Sequence, residues 1–321
     1  MKPFDQLTER GRLLRLRSVA LAALADYDVE VRQLSLIGGF VNALYRVDTP
    51  HGPLALRVDL MQEHSDIDAE LELEWLEALA GHVNVGVPIR TTGGALYTHA
   101  RAEGVPESRR CVLFSWVPGG PLADRISPAL FERYGRLSAQ LHVHGADHRT
   151  SRTPMVWDKV HYFPEEVDPV VYHLRENAPM YPEGGLEVVE RARSIVEERL
   201  ASVIDRQIVH GDLHIWNVHA RRDEVWALDF EDIMWASRAQ DIAISLYYLD
   251  DRSDRDELIG AFRMGYEQIA EWPTDDAELG TFMAARRLMF VNYVFNIAVP
   301  DRQEFLARSV ERLQSFLDRY G

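Results

Sequence analysis

The chain has 321 residues, 46% of them hydrophobic and 27% charged, an ordinary globular composition with length enough for two domains or two lobes. Its 35 Lys and Arg against 51 Asp and Glu give a formal net charge of −16, which repels nucleic acid and anionic membranes and argues against both as partners. One cysteine, Cys111, excludes an intrachain disulfide and fits a reducing cytoplasm.

The N-terminal stretch MKPFDQLTERGRLLRLRSV is charged throughout and lacks the apolar core of a signal peptide. The apolar stretch MAARRLMFVNYVFNIAV is broken by Arg286 and Arg287, short of the ~18 apolar residues of a membrane span. Residues 5–27 carry apolar groups at helical spacing and predict a leading helix. RQLSLIGGFVNALYRVDTPHGPLALRVDL contains two alternating segments around DTPHGP, the pattern of a β-hairpin. In SDIDAELELEWLEALAG, Ser65 is the N-cap, Ile67, Leu71, Trp75 and Leu79 make an apolar stripe, and Gly81 ends the helix. GALYTHA and RRCVLFSWV predict further strands, so the order before residue 118 is β-β-α-β-β, a small antiparallel sheet with one helix on it. VPGGPL then punctuates the chain, and beyond it nearly everything predicts helix except one strand pair, NVHA and VWALDF, joined by RRDE. The fold class is α+β, with a sheet lobe over 1–117, a helical lobe over 118–321 and a cleft expected at the linker.

The stretch HGDLHIWN, His210 to Asn217, concentrates the polar chemistry. Its two histidines suggest metal, as does HVHGADH from His142 to His148, but the latter is one residue longer than the H-x-H-x-D-H pattern of zinc hydrolases, and ligand direction depends on spacing. We expect LSAQLHVHGADH to be a helix ending at Gly145, its histidines facing the negative end of the dipole. Asn217 begins one strand and Asp229 ends the next, so pairing about Arg221–Glu224 sets position 217 opposite 228 and beside 229. Cross-strand Cβ atoms lie about 4.5–5.5 Å apart. An amide oxygen and a carboxylate can then converge on one hard cation, Mg²⁺ rather than zinc. Asp212, at the mouth of the same loop, is placed to accept a proton from an attacking hydroxyl, as phosphoryl transfer requires.

HGDLHIWN followed by LDFED resembles the catalytic loop and metal-binding segment of the aminoglycoside phosphotransferase-like kinases, which include type II homoserine kinases, choline kinases and a bacterial stress-response protein kinase. The Asp-x-x-x-x-Asn spacing matches the H-R-D-L-x-x-x-N loop of protein kinases, with Gly211 where they have Arg. The resemblance covers about residues 30 to 250 and implies a bilobal protein-kinase-like fold. It implies Asp212 as catalytic base, His210 as a loop-orienting residue, and Asn217 and Asp229 as Mg²⁺ ligands. Asp241 in QDIAISL resembles the aspartate that braces the catalytic loop, a role compatible with a dipole contact at a helix N-terminus.

On the nucleotide side, alternation in LALRVD turns Arg57 away from Leu54, Leu56 and Val58, where the family usually has a phosphate-binding Lys. Glu72, at the edge of the apolar stripe, is its expected ion-pair partner, with Glu70 and Glu74 as competitors. Gly38 and Gly39 could let backbone N–H groups approach phosphates, although a bare GG is also a common turn. The backbone from Ser115 through Trp116 to Val117 should contact adenine, with Trp116 and Phe114 as walls.

For the acceptor, Glu231, Asp232 and Trp235 lie just past Asp229, with Trp157, Tyr162, Asn292 and Tyr293 as looser candidates; carboxylates with aromatics suit an ammonium-bearing alcohol. The sequence thus predicts an ATP- and Mg²⁺-dependent kinase of a small-molecule hydroxyl, such as an amino alcohol, an aminoglycoside or a homoserine-like acceptor. The alternatives are a protein Ser/Thr kinase, a nucleotide-binding pseudokinase acting as an interaction module, and a zinc hydrolase.

Overall fold

The structure, a computed structural model, describes residues 2–39, 41–61 and 64–321. It divides into two compact units, Met1–Gly119 and Gly120–Gly321, the division falling within the Pro118–Pro121 punctuation.

The first unit opens with two helices, α1 (Glu9–Arg15) and α2 (Arg17–Leu24), rather than one helix over 5–27. Thr8 sets the start, its hydroxyl accepting the Gly11 N–H at 3.2 Å. The expected hairpin is a meander of three strands, β1 (Gln33–Gly39), β2 (Asn42–Thr49) and β3 (Gly52–Asp59). The segment read as one strand reverses after Gly39, which has φ +149° and where a Cβ would lie 2.0 Å from the Asn42 carbonyl oxygen. Only glycine fits there. Next come α3 (Asp66–Leu79), β4 (Thr98–Ala100) and β5 (Arg109–Ser115), giving an antiparallel sheet of order β1-β2-β3-β5-β4. Ser65 caps α3 in a reciprocal capping box with Asp68.

Tyr45, Val47, Leu56, Val58 and Leu113 point to one face of the sheet and bury themselves with Leu16, Val19 and Ala23 of the leading helices. Two tyrosines lock this layer: Tyr45 donates to the Leu13 carbonyl at 2.5 Å and Tyr27 to that of Cys111 at 3.2 Å. The alternation of β3 sends Arg57 the other way, towards α3. There Ile67, expected in the buried stripe, is 58% exposed, while Glu72 is buried inside it at 2%.

The second unit is mostly helical: α4 (Pro128–Asp147), α5 (Gly185–Ser202), α6 (Arg238–Tyr247), α7 (Arg255–Glu267), α8 (Asp276–Asn296) and α9 (Arg302–Tyr320). α4 packs on α7, α6 on α8, and α5 and α8 on α9. α4 continues through Gly145, where a helix end was expected, to Asp147. Besides the expected strand pair, now β9 (Val218–Arg221) and β10 (Glu224–Ala227), there are β6 (Gly120–Pro121), β7 (Met155–Val156), β8 (Gln207–Val209) and β11 (Met234–Ala236). These four form the sheets β10-β9-β6 and β7-β11-β8 with the pair, and at two or three residues each they are too short for a period of two to declare itself. The β9–β10 turn is the two residues Arg222 and Asp223 rather than four, with Arg222 at φ +55°. Trimming the turn from both sides leaves the register unchanged, and the Leu228 N–H donates to the Asn217 carbonyl at 2.9 Å. Among the described residues no helix is long and apolar enough to cross a membrane.

Candidate active site

The loop between β8 and β9 is held from several sides, all within the second unit. His210 is fully buried against Phe230, ring centroids 4.3 Å apart. Its Nδ1 accepts the Asp212 N–H at 3.3 Å, so Nε2 carries the proton and donates to the Leu228 carbonyl at 3.0 Å. Burial pushes its pKa down, against the pull of Asp241 and Asp212, and keeps the imidazole neutral in this bridging role. Gly211 has φ +82°, and a Cβ there would lie 2.0 Å from the Asp232 carbonyl oxygen, which is why this chain cannot carry a longer residue before Asp212. Its N–H donates to Oδ1 of Asp241 at 2.8 Å. The Leu213 carbonyl accepts from Tyr134 of α4 and from Ser245 of α6, the latter at 2.8 Å.

The carboxylate of Asp212 is the focus of this loop. Oδ2 lies 3.3 Å from Nδ2 of Asn217 and 3.4 Å from Nε2 of His214. Oδ1 is paired with the guanidinium of Arg286. The Asn217 amide nitrogen also donates to the Asp212 carbonyl at 3.0 Å, so both of these contacts with Asp212 use the nitrogen rather than the amide oxygen. His214 keeps its Nδ1 towards the N–H groups of Trp216 and Asn217, at 3.3 and 3.2 Å, and burial pushes its pKa down.

Asp229 follows Leu228, the residue opposite Asn217, and is one of two described non-glycine residues with positive φ, at +64°. A left-handed aspartate costs about 1–2 kcal/mol and is kept where geometry matters more than strain. Among the described residues no three His, Cys, Asp or Glu side chains are grouped to hold a metal by themselves. Asn217 and Asp229 are the two residues that would hold Mg²⁺, an amide oxygen and a carboxylate being the hard donors such a cation prefers. The histidines of HVHGADH serve other ends. His142 is fully buried with Nε2 2.9 Å from Oδ2 of Asp241 and Nδ1 2.9 Å from the Tyr266 hydroxyl, while His144 and His148 stack on one another in and just past the last turn of α4. The dipole reading therefore does not apply to His142, which sits mid-helix.

In the first unit, Arg57 and Glu72 form a bidentate ion pair, Nη1 to Oε1 at 2.8 Å and Nη2 to Oε2 at 2.5 Å, with side chains 10% and 2% exposed. Phe114 lies beneath the guanidinium at 5.2 Å, and Arg46 covers the Trp116 ring at 4.9 Å. Glu70 accepts from the Tyr97 hydroxyl instead. Gly38 and Gly39 end β1 after a register shift, and a Cβ on Gly38 would meet nothing within 4 Å. In the segment expected to contact adenine, the Ser115 N–H donates to the Val87 carbonyl at 2.8 Å and its hydroxyl accepts the Val87 N–H at 2.9 Å, so both of these groups are already engaged within the first unit.

Of the acceptor candidates, Glu231 and Asp232 are half-buried and Trp235 is 38% exposed on β11. Trp157 is fully buried, Tyr162 lies 3.5 Å from Arg286, and Tyr293 is half-buried on α8. Asn292 is corrected: its oxygen accepts the N–H groups of Val171 and Tyr172 and its nitrogen donates to Asp168 and Pro169, so it braces a loop and has nothing to offer a ligand. Arg286, Tyr134, Ser245 and His142 were not read as site residues. The available signal was Arg286 on the apolar stripe of a helix, three and four residues before Met289 and Phe290.

The sequence profile of the phosphotransferase enzyme family matches residues 30–277. The amicoumacin kinase of Bacillus subtilis (strain 168) is 24% identical over 272 residues, covering 79% of this chain and 77% of that one. Among solved structures, amicoumacin kinase hAmiN in complex with AMP-PNP, Ca²⁺ and Ami superposes with a TM-score of 0.71 at 18% identity, over 96% of this chain and 94% of that one. A microcompartment-associated aminopropanol kinase superposes with a TM-score of 0.70 at 22% identity, over 94% and 95%. Such likenesses establish the α+β, protein-kinase-like fold expected from the sequence.

Proposed function

The chain belongs to the phosphotransferase enzyme family, and from that premise we propose that it is a kinase moving the γ-phosphoryl group of ATP to the hydroxyl of a small molecule. The observation that carries this reading is Asp212, a carboxylate fixed in a loop that also holds Asn217, whose carbonyl accepts the N–H of Leu228, the residue before the strained Asp229. Asp212 accepts the proton of the acceptor hydroxyl as its oxygen attacks the γ-phosphorus, and the bond to the β-bridging oxygen breaks to release ADP. Asn217 and Asp229 would hold Mg²⁺, which when bound neutralises phosphate charge. His210 and Asp241 keep the loop in register, and Arg57, aligned by Glu72, binds phosphate oxygens on the nucleotide side.

The relatives are named as kinases of amicoumacin and aminopropanol, which weighs towards an acceptor bearing an amine and against a protein substrate. Glu231, Asp232 and the half-exposed Trp235 support such a cation. The joint presence of Asp212, Asn217 and Asp229 weighs against a pseudokinase, and a cytoplasmic location fits the ATP requirement and the single, buried Cys111.

The test is an ATP-consumption screen against amino alcohols, aminoglycosides, homoserine and sugars, run beside Asp212→Asn and Asp229→Ala. Asp212→Asn should lose at least about a thousandfold in kcat while binding Mg·ATP normally. Asp229→Ala should lose the Mg²⁺ dependence of ATP affinity. Wild-type turnover by Asp212→Asn removes the base assignment, and an unchanged Mg²⁺ titration in Asp229→Ala removes the ligand assignment.

A further inference from the structure

We infer that Arg286 is a positioning residue for phosphoryl transfer: it aims the carboxylate of Asp212, so that the oxygen facing Asn217 and His214 is the one that takes the acceptor proton. The inference rests on the reading of Asp212 as the base.

Arg286 sits in the middle of α8, far along the chain from the loop it touches, with its side chain 6% exposed. Phe290, one turn on, carries the guanidinium on its face at 4.7 Å, and Tyr162 lies 3.5 Å from Nη1. Nη2 pairs with Oδ1 of Asp212, and Nε is buried without a hydrogen-bond partner among the described residues. For folding alone this is a poor arrangement. A buried ion pair pays desolvation on both charges, and an apolar residue of similar volume at such a position is often neutral or stabilising. A buried N–H left unmatched adds to the cost. Arg287, the next residue, shows the ordinary alternative: it pairs with Asp250 and stacks on Tyr247, and neither contact is with Asp212.

The other contacts of Asp212 cannot fix it as well. Its bonds to Asn217 and His214, at 3.3 and 3.4 Å, are long, and both partners have a second commitment within the loop. Arg286 supplies the charge-assisted contact, delivered from a helix rather than from the loop. Losing it frees the carboxylate to rotate, and displacing a catalytic group by about 1 Å is enough to cost about a hundredfold in rate.

The experiment compares Arg286→Met, Arg286→Lys and Arg286→Ala with the control Arg287→Met. Phosphoryl transfer is measured with Mg·ATP and the acceptor found by screening, and the crystal structure of Arg286→Met is determined alongside. Arg286→Met should lose about a hundredfold in kcat with both KM values within about threefold, Arg286→Lys should recover part, and guanidinium ion should partly rescue Arg286→Ala, while Arg287→Met keeps the wild-type kcat. In the Arg286→Met crystal the Asp212 carboxylate should have turned from its orientation here. If Arg286→Met does not fold, the Lys variant and the rescue carry the decision. A kcat within about threefold of wild type, a loss confined to acceptor KM, equal losses at 286 and 287, or an unmoved carboxylate each overturns the inference. Wild-type activity in Asp212→Asn instead sinks the base reading on which it rests.

Discussion

Asp241 and Gly211, thirty residues apart, are joined by a 2.8 Å hydrogen bond from the Gly211 N–H to Oδ1, while Oδ2 of the same carboxylate lies 2.9 Å from Nε2 of His142. Tyr266 of α7 closes the chain on Nδ1 of His142, so α4, α6 and α7 all bear on the peptide that precedes Asp212. Asp241 and His142 are essentially inaccessible to water. Asp241→Ala leaves the Gly211 N–H and His142 unmatched in the interior, and we expect it to cost about 3 kcal/mol or more and to lower kcat beyond what the lost stability explains. Denaturant titration and steady-state rates at a temperature where the variant is folded check both. Stability close to wild type would show that the network is not a brace. Burial raises the Asp241 pKa, but the bonds from His142 and Gly211 more than offset this and leave it below the usual 3.8. A depressed carboxylate pKa stabilises the fold above its unfolded value, and that contribution goes as pH falls through the folded value. The gap between wild type and variant should therefore narrow only below about pH 4.

The Arg57–Glu72 pair separates a structural from a functional contribution. Arg57→Met strands a carboxylate that is 2% exposed, and should cost about 3 kcal/mol or more as well as weakening Mg·ATP binding. Adding Glu72→Leu removes the stranded charge. The double variant should regain most of the melting temperature and none of the nucleotide affinity. Recovery of both by the double variant would assign the pair to folding alone.

What the sequence disclosed and what it hid follow from how far each signal reaches. The meeting of Asp212 and Asn217 was legible because it is local: they are five residues apart, and the strand pair behind them has a register that survives a misjudged turn. The Arg57–Glu72 pairing was legible because alternation in β3 and periodicity in α3 each restrict one partner. Ile67 was misassigned because periodicity cannot say where a stripe starts, only its angle. Arg286 and His142 reach the site through helices 74 and 99 residues away in sequence from their partners, and no local pattern encodes such a meeting. The reversal after Gly39 was likewise hidden, because it depends on a glycine at φ +149° inside a stretch whose alternation reads as one strand.

His161 gives the molecule an acid sensitivity of known sign. Both ring nitrogens are buried without a hydrogen-bond partner among the described residues, and the ring lies 5.4 Å from that of Tyr172. Burial first, and then the charges of Arg193, His173 and Lys159, push its pKa down from 6.5 to about 4, with Glu190 opposing. The unfolded chain therefore binds a proton between pH 6.5 and 4 that the folded chain refuses, so stability falls as pH drops through that window. At pH 4.5 the loss from this one group is at most about 2.5 kcal/mol relative to pH 7.5. His161→Phe keeps an aromatic ring beside Tyr172 and removes the titration, so its stability should fall less between pH 7.5 and 4.5 than that of the wild type. The two should be closest at pH 7.5, where the wild-type imidazole is neutral in both states. Burial also depresses His210, His214 and His219, so the variant retains part of the slope. Parallel pH profiles for the two proteins, measured by denaturant unfolding, would mean that His161 already meets water or a partner that accepts its proton.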